Sequence, residues 1–349
     1  MRPQTTPQWL TRAAALAFLT LISGCGAGDY DLTVYSAADQ IHAEPLLQRF
    51  EEETGLRVNM VFDVEANKTV GLVARLRKEA EQGTVRCDVF WNNEIANTVA
   101  LAADGLLQPY DSPAAADIPA TFKDPGHLWT GFAARGRVLI VNTERLGDRA
   151  APSSLDDLLS PAWSGEAGIA RPLSGTTLTH AAVLYDVLGD DAARAFWKSV
   201  KQRNAAGALN LASGNGPLMR SVGTGEYTWG WTDTDDFNVA RVRGMPVLRV
   251  APDQVEGGMG LLMIPNTAAI VAGAPNLDNA KRFYDWLVSA DTEAALASSD
   301  SANVPVRPNL VRPENVLGTS ELHVMEVDWQ QVGQRLPAIQ TELKELFLD

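Results

Sequence analysis

The sequence predicts an α/β protein of two lobes, each a mostly parallel sheet flanked by helices. Strand-like and helix-like segments alternate as β-α-β-α-β-α as far as Gly105, and a second alternating set begins at Arg137. The chain has 349 residues, more than the roughly 100–200 of a single domain. Apolar residues make up 46% and charged residues 21%, the balance of a folded globular protein and not of a disordered or fibrous one.

Residues 31–35 alternate as the first strand. Leu46, Leu47 and Phe50 then share a helical face, and Gly55 is a natural stop. Residues 57–62 alternate again. Over 69–82, Val70, Val73, Leu76 and Ala80 line one face of a helix. Residues 88–91 form a short buried strand, and 95–103 a helix closed by Asp104-Gly105. In the second set, 137–142 and 168–170 read as strands, 176–188 and 191–201 as helices, and 227–231 as a strand leading into Asp233-Thr234-Asp235-Asp236. A helix follows over 237–242. Residues 247–250 and 260–264 are extended, and 280–288 is amphipathic through Phe283, Tyr284 and Leu287. Ile339, Leu343 and Leu346 mark a terminal helix.

The first 25 residues follow a different rule. Arg2 and Arg12 precede an apolar run over 13–22, too short for a bilayer span of about 20 residues but fitted to a secretory leader. The run ends in Leu21-Ile22-Ser23-Gly24-Cys25, which resembles a bacterial lipobox and makes Cys25 the expected lipid attachment point. The expected mature protein is exported and anchored to the cell membrane by lipid, facing the periplasm or cell exterior. Removing 1–24 takes two arginines and no acid, so the net charge moves from −14 to −16. Such a charge excludes a nucleic-acid partner, because phosphate backbones need a basic surface. Two cysteines make no disulfide framework and no Cys-rich zinc site. Cys87, before Val89-Phe90-Trp91, reads as a buried inert thiol.

No catalytic pattern stands out. His42, His127, His180 and His323 are scattered, and the chain holds no His-Glu-x-x-His pair, Gly-x-Ser-x-Gly elbow, P-loop or Gly-x-Gly-x-x-Gly turn. His180 lies one helical turn after Thr176 without a metal partner, which suits a structural histidine. A binding protein and not an enzyme is expected, with Cys87 the remote candidate for chemistry.

Taken in order, Val34-Tyr35-Ser36, Thr54-Gly55-Leu56-Arg57-Val58, Asp88-Val89-Phe90-Trp91, Gly105-Leu106-Leu107, Arg135-Gly136-Arg137-Val138 and Pro172-Leu173-Ser174-Gly175-Thr176 resemble the solute-binding proteins of bacterial ABC importers. The likeness is to the ferric-iron-type branch, which includes phosphonate and sugar-phosphate binders, and it covers nearly all of the mature chain. It implies the two-lobed periplasmic-binding-protein fold, with a hinge crossed twice, near 132–142 and again near 253–266. The implied division is leader 1–24, tether 25–29, first lobe 30–134, second lobe 135–255, return to the first lobe 256–310, and a C-terminal helical segment 311–349 of open lobe assignment. It also implies a monomer that delivers its ligand to a permease and an ATPase subunit without altering it. A lipoprotein presenting its ligand to a receptor is not separable from this by sequence.

Iron-binding members hold their metal with a His, a Glu and two adjacent Tyr, plus an anion. The matching positions here are Asp39, Asn93 with Glu94 beside it, and Asp235 and Asp236. With both phenolates lost, the usual iron site is not expected, although carboxylates suit other hard cations. Asp39, Asp235 and Asp236 are the ligands if a metal binds; no other cofactor is implied.

The anion positions fit better. Ser174-Gly175-Thr176-Thr177 opening a helix offers hydroxyls, backbone N–H groups and the positive end of the helix dipole. On the resemblance Asn215 falls on an anion-contacting position and joins this set with Ser36, and Arg135 and Arg171 add charge-assisted donors. Asp39, Asn93, Glu94, Asp233, Asp235 and Asp236 would form an acidic end of the cleft. The bland alternatives are that Ser174 only caps its helix and that the acids only cap theirs. The expected ligand is small and anionic or zwitterionic, with a phosphoryl, phosphonate or carboxylate group; ferric iron with an anion is the alternative.

Overall fold

One run of thirteen buried residues, Thr130–Asn142, organises the fold. The computed structural model describes residues 30–38, 40–63, 70–320 and 322–348; the expected leader and tether, Cys25 and Asp39 lie outside these. The first elements are β1 (Leu32–Ser36), α1 (Gln40–Thr54), β2 (Val58–Phe62), α2 (Val70–Glu81), β3 (Val89–Asn92), α3 (Ala96–Ala103), β4 (Leu107–Gln108), β5 (Thr130–Asn142) and α4 (Thr143–Leu146). Then come β6 (Ala167–Ala170), α5 (Gly175–Val187), α6 (Asp190–Ala205), β7 (Asn210–Ala212), α7 (Asn215–Gly223), β8 (Trp229–Asp233), α8 (Thr234–Val242) and β9 (Val247–Val250). The chain closes with β10 (Met263–Val271), α9 (Leu277–Leu287), α10 (Ala290–Ser298) and α11 (Trp329–Leu348).

The α/β class read from the alternation holds. The strands run in the order β2-β1-β3-β10-β5-β8-β6-β7, with β4 paired to β10 and β9 to β5. In the first half β2, β1 and β3 are parallel, and in the second β8, β6 and β7 are parallel. β5 and β10 run antiparallel to their neighbours and join the halves. The first part of β5 pairs with β10, while its last six residues pair with β8 on one side and β9 on the other.

Because β5 is covered on both faces, its side chains feed two cores alternately. Val138 and Ile140 join the core cluster that also holds Phe50, Trp91 and Phe283; Leu139 and Val141 join the one that holds Leu178, Trp197 and Trp231. The sequence gives away the Val138–Val141 end of β5 by its β-branched run. The other end, Thr130–Gly136, is rich in Ala and Gly, and it is strand by pairing with β10 and not by propensity. The same holds for β10, of which the pattern shows only the beginning.

α11 begins ten residues before Ile339, because Gly333 and Pro337 read as breakers although both lie inside it. It bridges the halves. Gly333 faces Val99 of α3, whereas Tyr185 of α5 and Arg194 of α6 donate to Glu342 at 2.8 and 3.0 Å. A Cβ at Gly333 would fall inside contact distance of the Val99 side chain and at 3.1 Å from the Ala100 nitrogen. Gly333→Ala therefore sets a gain in helix propensity of about 1 kcal/mol against overpacking of about 1–3 kcal/mol. We expect overpacking to win, lowering the urea midpoint, with recovery on pairing with Val99→Ala.

Candidate functional site

β6, β7 and β8 run side by side in the same direction, so the turns into α5, α7 and α8 gather at their carboxyl ends. Ligand sites in open α/β sheets form at that edge. A cavity of about 410 Å³ opens there, between Arg171, Ser174–Thr177, Asn215, Asp233, Asp235 and Asp236 on one side and Asn93 and Arg135 on the other.

Its floor is an ion pair. Arg137 is fully buried, and its Nη1 donates to Asp233 Oδ1 at 2.7 Å. Asp233 Oδ2 accepts from the Thr176 hydroxyl at 2.6 Å and from Asn215 Nδ2 at 3.0 Å. Arg137 also donates to the Thr176 and Thr177 hydroxyls, each at 3.4 Å, and Thr177 donates to Asn215 Oδ1 at 3.1 Å. Burial alone would raise the Asp233 pKa, but Arg137 and then Arg135 outweigh it and hold the carboxylate below its usual range. Thr176, Thr177 and Asn215 thus spend their side chains tying α5 and α7 to β8.

What remains open is the backbone and the rim. Ser174 occupies the N-cap position of α5 without making a side-chain cap bond, so the capping alternative does not describe it. The first helical bond is Leu178 N to Ser174 O, which leaves the N–H groups of Gly175, Thr176 and Thr177 without an intrahelical acceptor. Gly175 has φ +59° with nothing within 4 Å of where a Cβ would sit, so backbone conformation, not crowding, demands glycine there. The N-terminus of α7, opened by Gly214-Asn215-Gly216, faces the same cavity. Arg171, just past β6, is exposed and makes no ion pair among the described residues.

Arg135 reaches the cavity from the shared strand. Ala133 takes a left-handed conformation (φ 44°), and the β5–β10 register shifts opposite it, between Ile264 and Asn266. Such a conformation costs a non-glycine residue about 1–2 kcal/mol. Buried Glu293 holds it by accepting from Ala133 N at 2.8 Å, and Asn266 donates to its carbonyl. A bulge of this kind re-aims the residues that follow, and Arg135 ends with Nη1 at 3.3 Å from Asp235 and Nη2 on the Asn93 carbonyl. Asn93 is 5% exposed, and its Oδ1 has no hydrogen-bond partner among the described residues.

Several expected residues sit elsewhere. Glu94 is fully buried and off the cavity, accepting from Asn92, Asn97 and the Thr179 hydroxyl of α5, so it links the halves instead of lining a cleft. Ser36 is also buried and accepts from Ala38 N at 3.2 Å. Cys87 is buried, its thiol pushed up by burial and donating to the Val89 carbonyl, away from the cavity. Arg137 is the residue that sequence reading passed over as a strand position. A cation heading Val138-Leu139-Ile140-Val141 was the available signal, since burial there demands an anion.

One carboxylate oxygen from each of Asp233, Asp235 and Asp236 lies within 4.8 Å of the others. Each acid is already engaged: Asp233 by Arg137, Asp235 by Arg135, and Asp236 by the Thr232 hydroxyl at 2.7 Å.

The sequence matches the bacterial extracellular solute-binding protein family over residues 46–321, and the chain belongs to that family. It is 23% identical to the major ferric iron-binding protein of Neisseria meningitidis, covering 87% of this chain and 89% of that one. It is 26% identical to a putative 2-aminoethylphosphonate-binding periplasmic protein of Salmonella paratyphi A, covering 86% of each. Among solved structures, iron-bound HitA of Pseudomonas aeruginosa superposes with a TM-score of 0.78 at 21% identity, over 89% of this chain and 98% of that one. AfuA of Actinobacillus pleuropneumoniae with bound fructose-6-phosphate gives 0.77 at 24% identity, over 91% and 99%. The fold is therefore that of the two-lobed periplasmic binding proteins.

Beneath the floor, His180 Nδ1 accepts from Arg137 Nε at 3.4 Å, and the ring meets Trp231 edge-on at 4.2 Å. Burial, and then Arg137, pull its pKa well below the usual value, and an imidazolium could not accept that bond. The unfolded chain takes up the proton near pH 6.5 while the folded one refuses it, so stability is full above that pH and declines below it. The slope is at most about 1.4 kcal/mol per pH unit. We expect His180→Gln to flatten the fall in urea midpoint between about pH 6.5 and 5.

Proposed function

We propose that this chain is the extracytoplasmic ligand-capturing subunit of an ABC importer, holding a small phosphonate, phosphorylated or carboxylate ligand in the cavity above Asp233. The observation that carries this reading is the division of labour at the site. The acids are engaged by guanidinium and hydroxyl groups, whereas Ser174, the opening N–H groups of α5 and α7, and Arg171 are left facing one space. Helix N-termini and a guanidinium favour an oxyanion. That local field acts against a chain of net charge −14, so selection falls on ligands that reach the helix ends. A zwitterion whose ammonium meets Asp235 or Asp236 satisfies both ends. The phosphonate-binding relative and the fructose-6-phosphate complex support this class.

The acid cluster favours a second reading, a hard metal ion bound with an anion, as in the ferric iron-binding relatives. A cation there would have to displace Arg135 or share oxygens with it, and neither paired tyrosine is present. The anion reading needs no such displacement.

The test is a thermal-shift and calorimetric screen of protein unfolded and refolded free of ligand. We expect saturable binding of 2-aminoethylphosphonate, inorganic phosphate or a sugar phosphate, weakened about tenfold or more by Ser174→Ala or Arg171→Ala, in line with the loss of one charge-assisted hydrogen bond of about 1.5–3 kcal/mol. A saturable shift with Fe(III) or Mn²⁺ that Asp235→Ala abolishes would establish the metal reading instead.

Anchoring through Cys25 is part of the proposal. We expect the full-length chain to take up radiolabelled palmitate in cells and to be released into the soluble fraction by Cys25→Ala; labelling that persists in this variant would refute it.

A further inference from the structure

We propose that Arg241, Arg249 and Arg312 form a docking surface for an acidic, carboxylate-bearing segment of a protein partner. Many arginines of this acidic chain find carboxylates, as Arg49, Arg149 and Arg194 do. These three make no ion pair among the described residues, although they come from separate segments: the last turn of α8, strand β9 and the loop 310–318.

The geometry holds them together. Arg249 is half-buried, with its guanidinium over the Phe237 ring at 5.2 Å. Asn238, the next residue, accepts from Arg241 at 3.2 Å and from Asn315 Nδ2 at 3.2 Å, which seats the loop carrying Arg312 against α8. Arg312 is fixed in turn by donating to the Val316 carbonyl at 2.7 Å. Burial, then Arg241 and Arg312, push the Arg249 pKa down, so the cations lie close enough to repel.

Local stability does not explain the cluster. The dipole at the end of α8 favours Arg241, and a charge on an outer strand guards β9 from unwanted pairing. Neither calls for a third cation from a distant loop. An external anion relieves the repulsion of all three, and guanidinium forks match carboxylates in pairs.

The occupant is a protruding protein segment and not a bilayer. Arg249 is half-buried whereas Arg241 and Arg312 are exposed, so a protruding carboxylate side chain reaches all three more readily than a flat anionic surface, and the whole chain at −14 is repelled by such a surface. The patch also reports on the arrangement of the halves. Asn238 Nδ2 donates to the carbonyl of Asp300 at 2.6 Å, joining α8 of the second half to the turn that follows α10 in the first. A partner gripping these arginines therefore meets a surface whose shape depends on how the halves sit together. The inference does not depend on which ligand the cavity holds.

The experiment uses fluorescein-labelled hexaglutamate and the folded chain, read by anisotropy at low salt. We expect saturable binding that weakens as salt rises and at least tenfold in R241E/R249E/R312E, with no change in Arg282→Glu, an equal charge reversal on α9. Should the triple variant fold poorly, R241E and R312E singly, both exposed, are each expected to weaken binding about threefold. Hexaglutamate affinity equal in wild type and variants overturns the proposal. Preferential binding to phosphatidylglycerol vesicles, lost in the same variants, overturns it in favour of a membrane. Full displacement of the peptide by millimolar inorganic phosphate overturns it in favour of a small-anion site.

Discussion

The pairing of Arg137 with Asp233 beneath the cavity is the interaction on which the site depends. Both are buried, and removing either partner from such a pair commonly costs about 3–5 kcal/mol, because the other is left charged in a poor solvent. The pair does more than neutralise itself. Through Asp233 it gathers Thr176 and Asn215, and through Arg137 it reaches Thr177 and His180, so the first residues of α5 and α7 are fixed to the end of β8. Two helix N-termini converge on one space because a single carboxylate holds the first turn of each.

Above this floor the shared strand sets the geometry. β5 carries Arg135 toward the cavity and Arg137 beneath it, two residues apart on the same face of the strand. The left-handed Ala133 just before them is maintained by Glu293, which is itself paired with Arg307 at 2.8 Å and accepts from Val306 N. The aim of Arg135 is therefore settled largely by groups of the first half, whereas the floor belongs to the second. The strand that joins the halves is also where their electrostatics meet.

Legibility in the sequence followed the range of the forces involved. Amphipathic helices such as α9, and strands with a β-branched run such as Val138–Val141, declare themselves because neighbouring residues share one environment. The Ser174-Gly175-Thr176 turn was also legible, since a helix start is a local event. Thr130–Gly136 was not, because its strand character comes from β10, more than a hundred residues away. α7 was hidden because Gly214, Gly216 and Pro217 carry little helix propensity, although they open a helix. Glu94 shows the same limit at the site: its register pointed to the cleft, but Asn92, Asn97 and Thr179 claim it. Arg137 was visible as a residue, but its purpose depended on Asp233, which lies 96 positions further on.

The uneven ownership of the cavity wall has a kinetic meaning. Apart from Asn93 and Arg135, its lining comes from the turns after β6, β7 and β8. An arriving molecule can make most of its polar contacts with one half alone, before any closure. On the proposed reading, capture would proceed at the pace of encounter with one preformed wall, and residence would follow how often the other half moves away. Changes confined to the Asn93 side would lengthen or shorten the stay of a bound molecule while leaving the rate of its arrival nearly untouched.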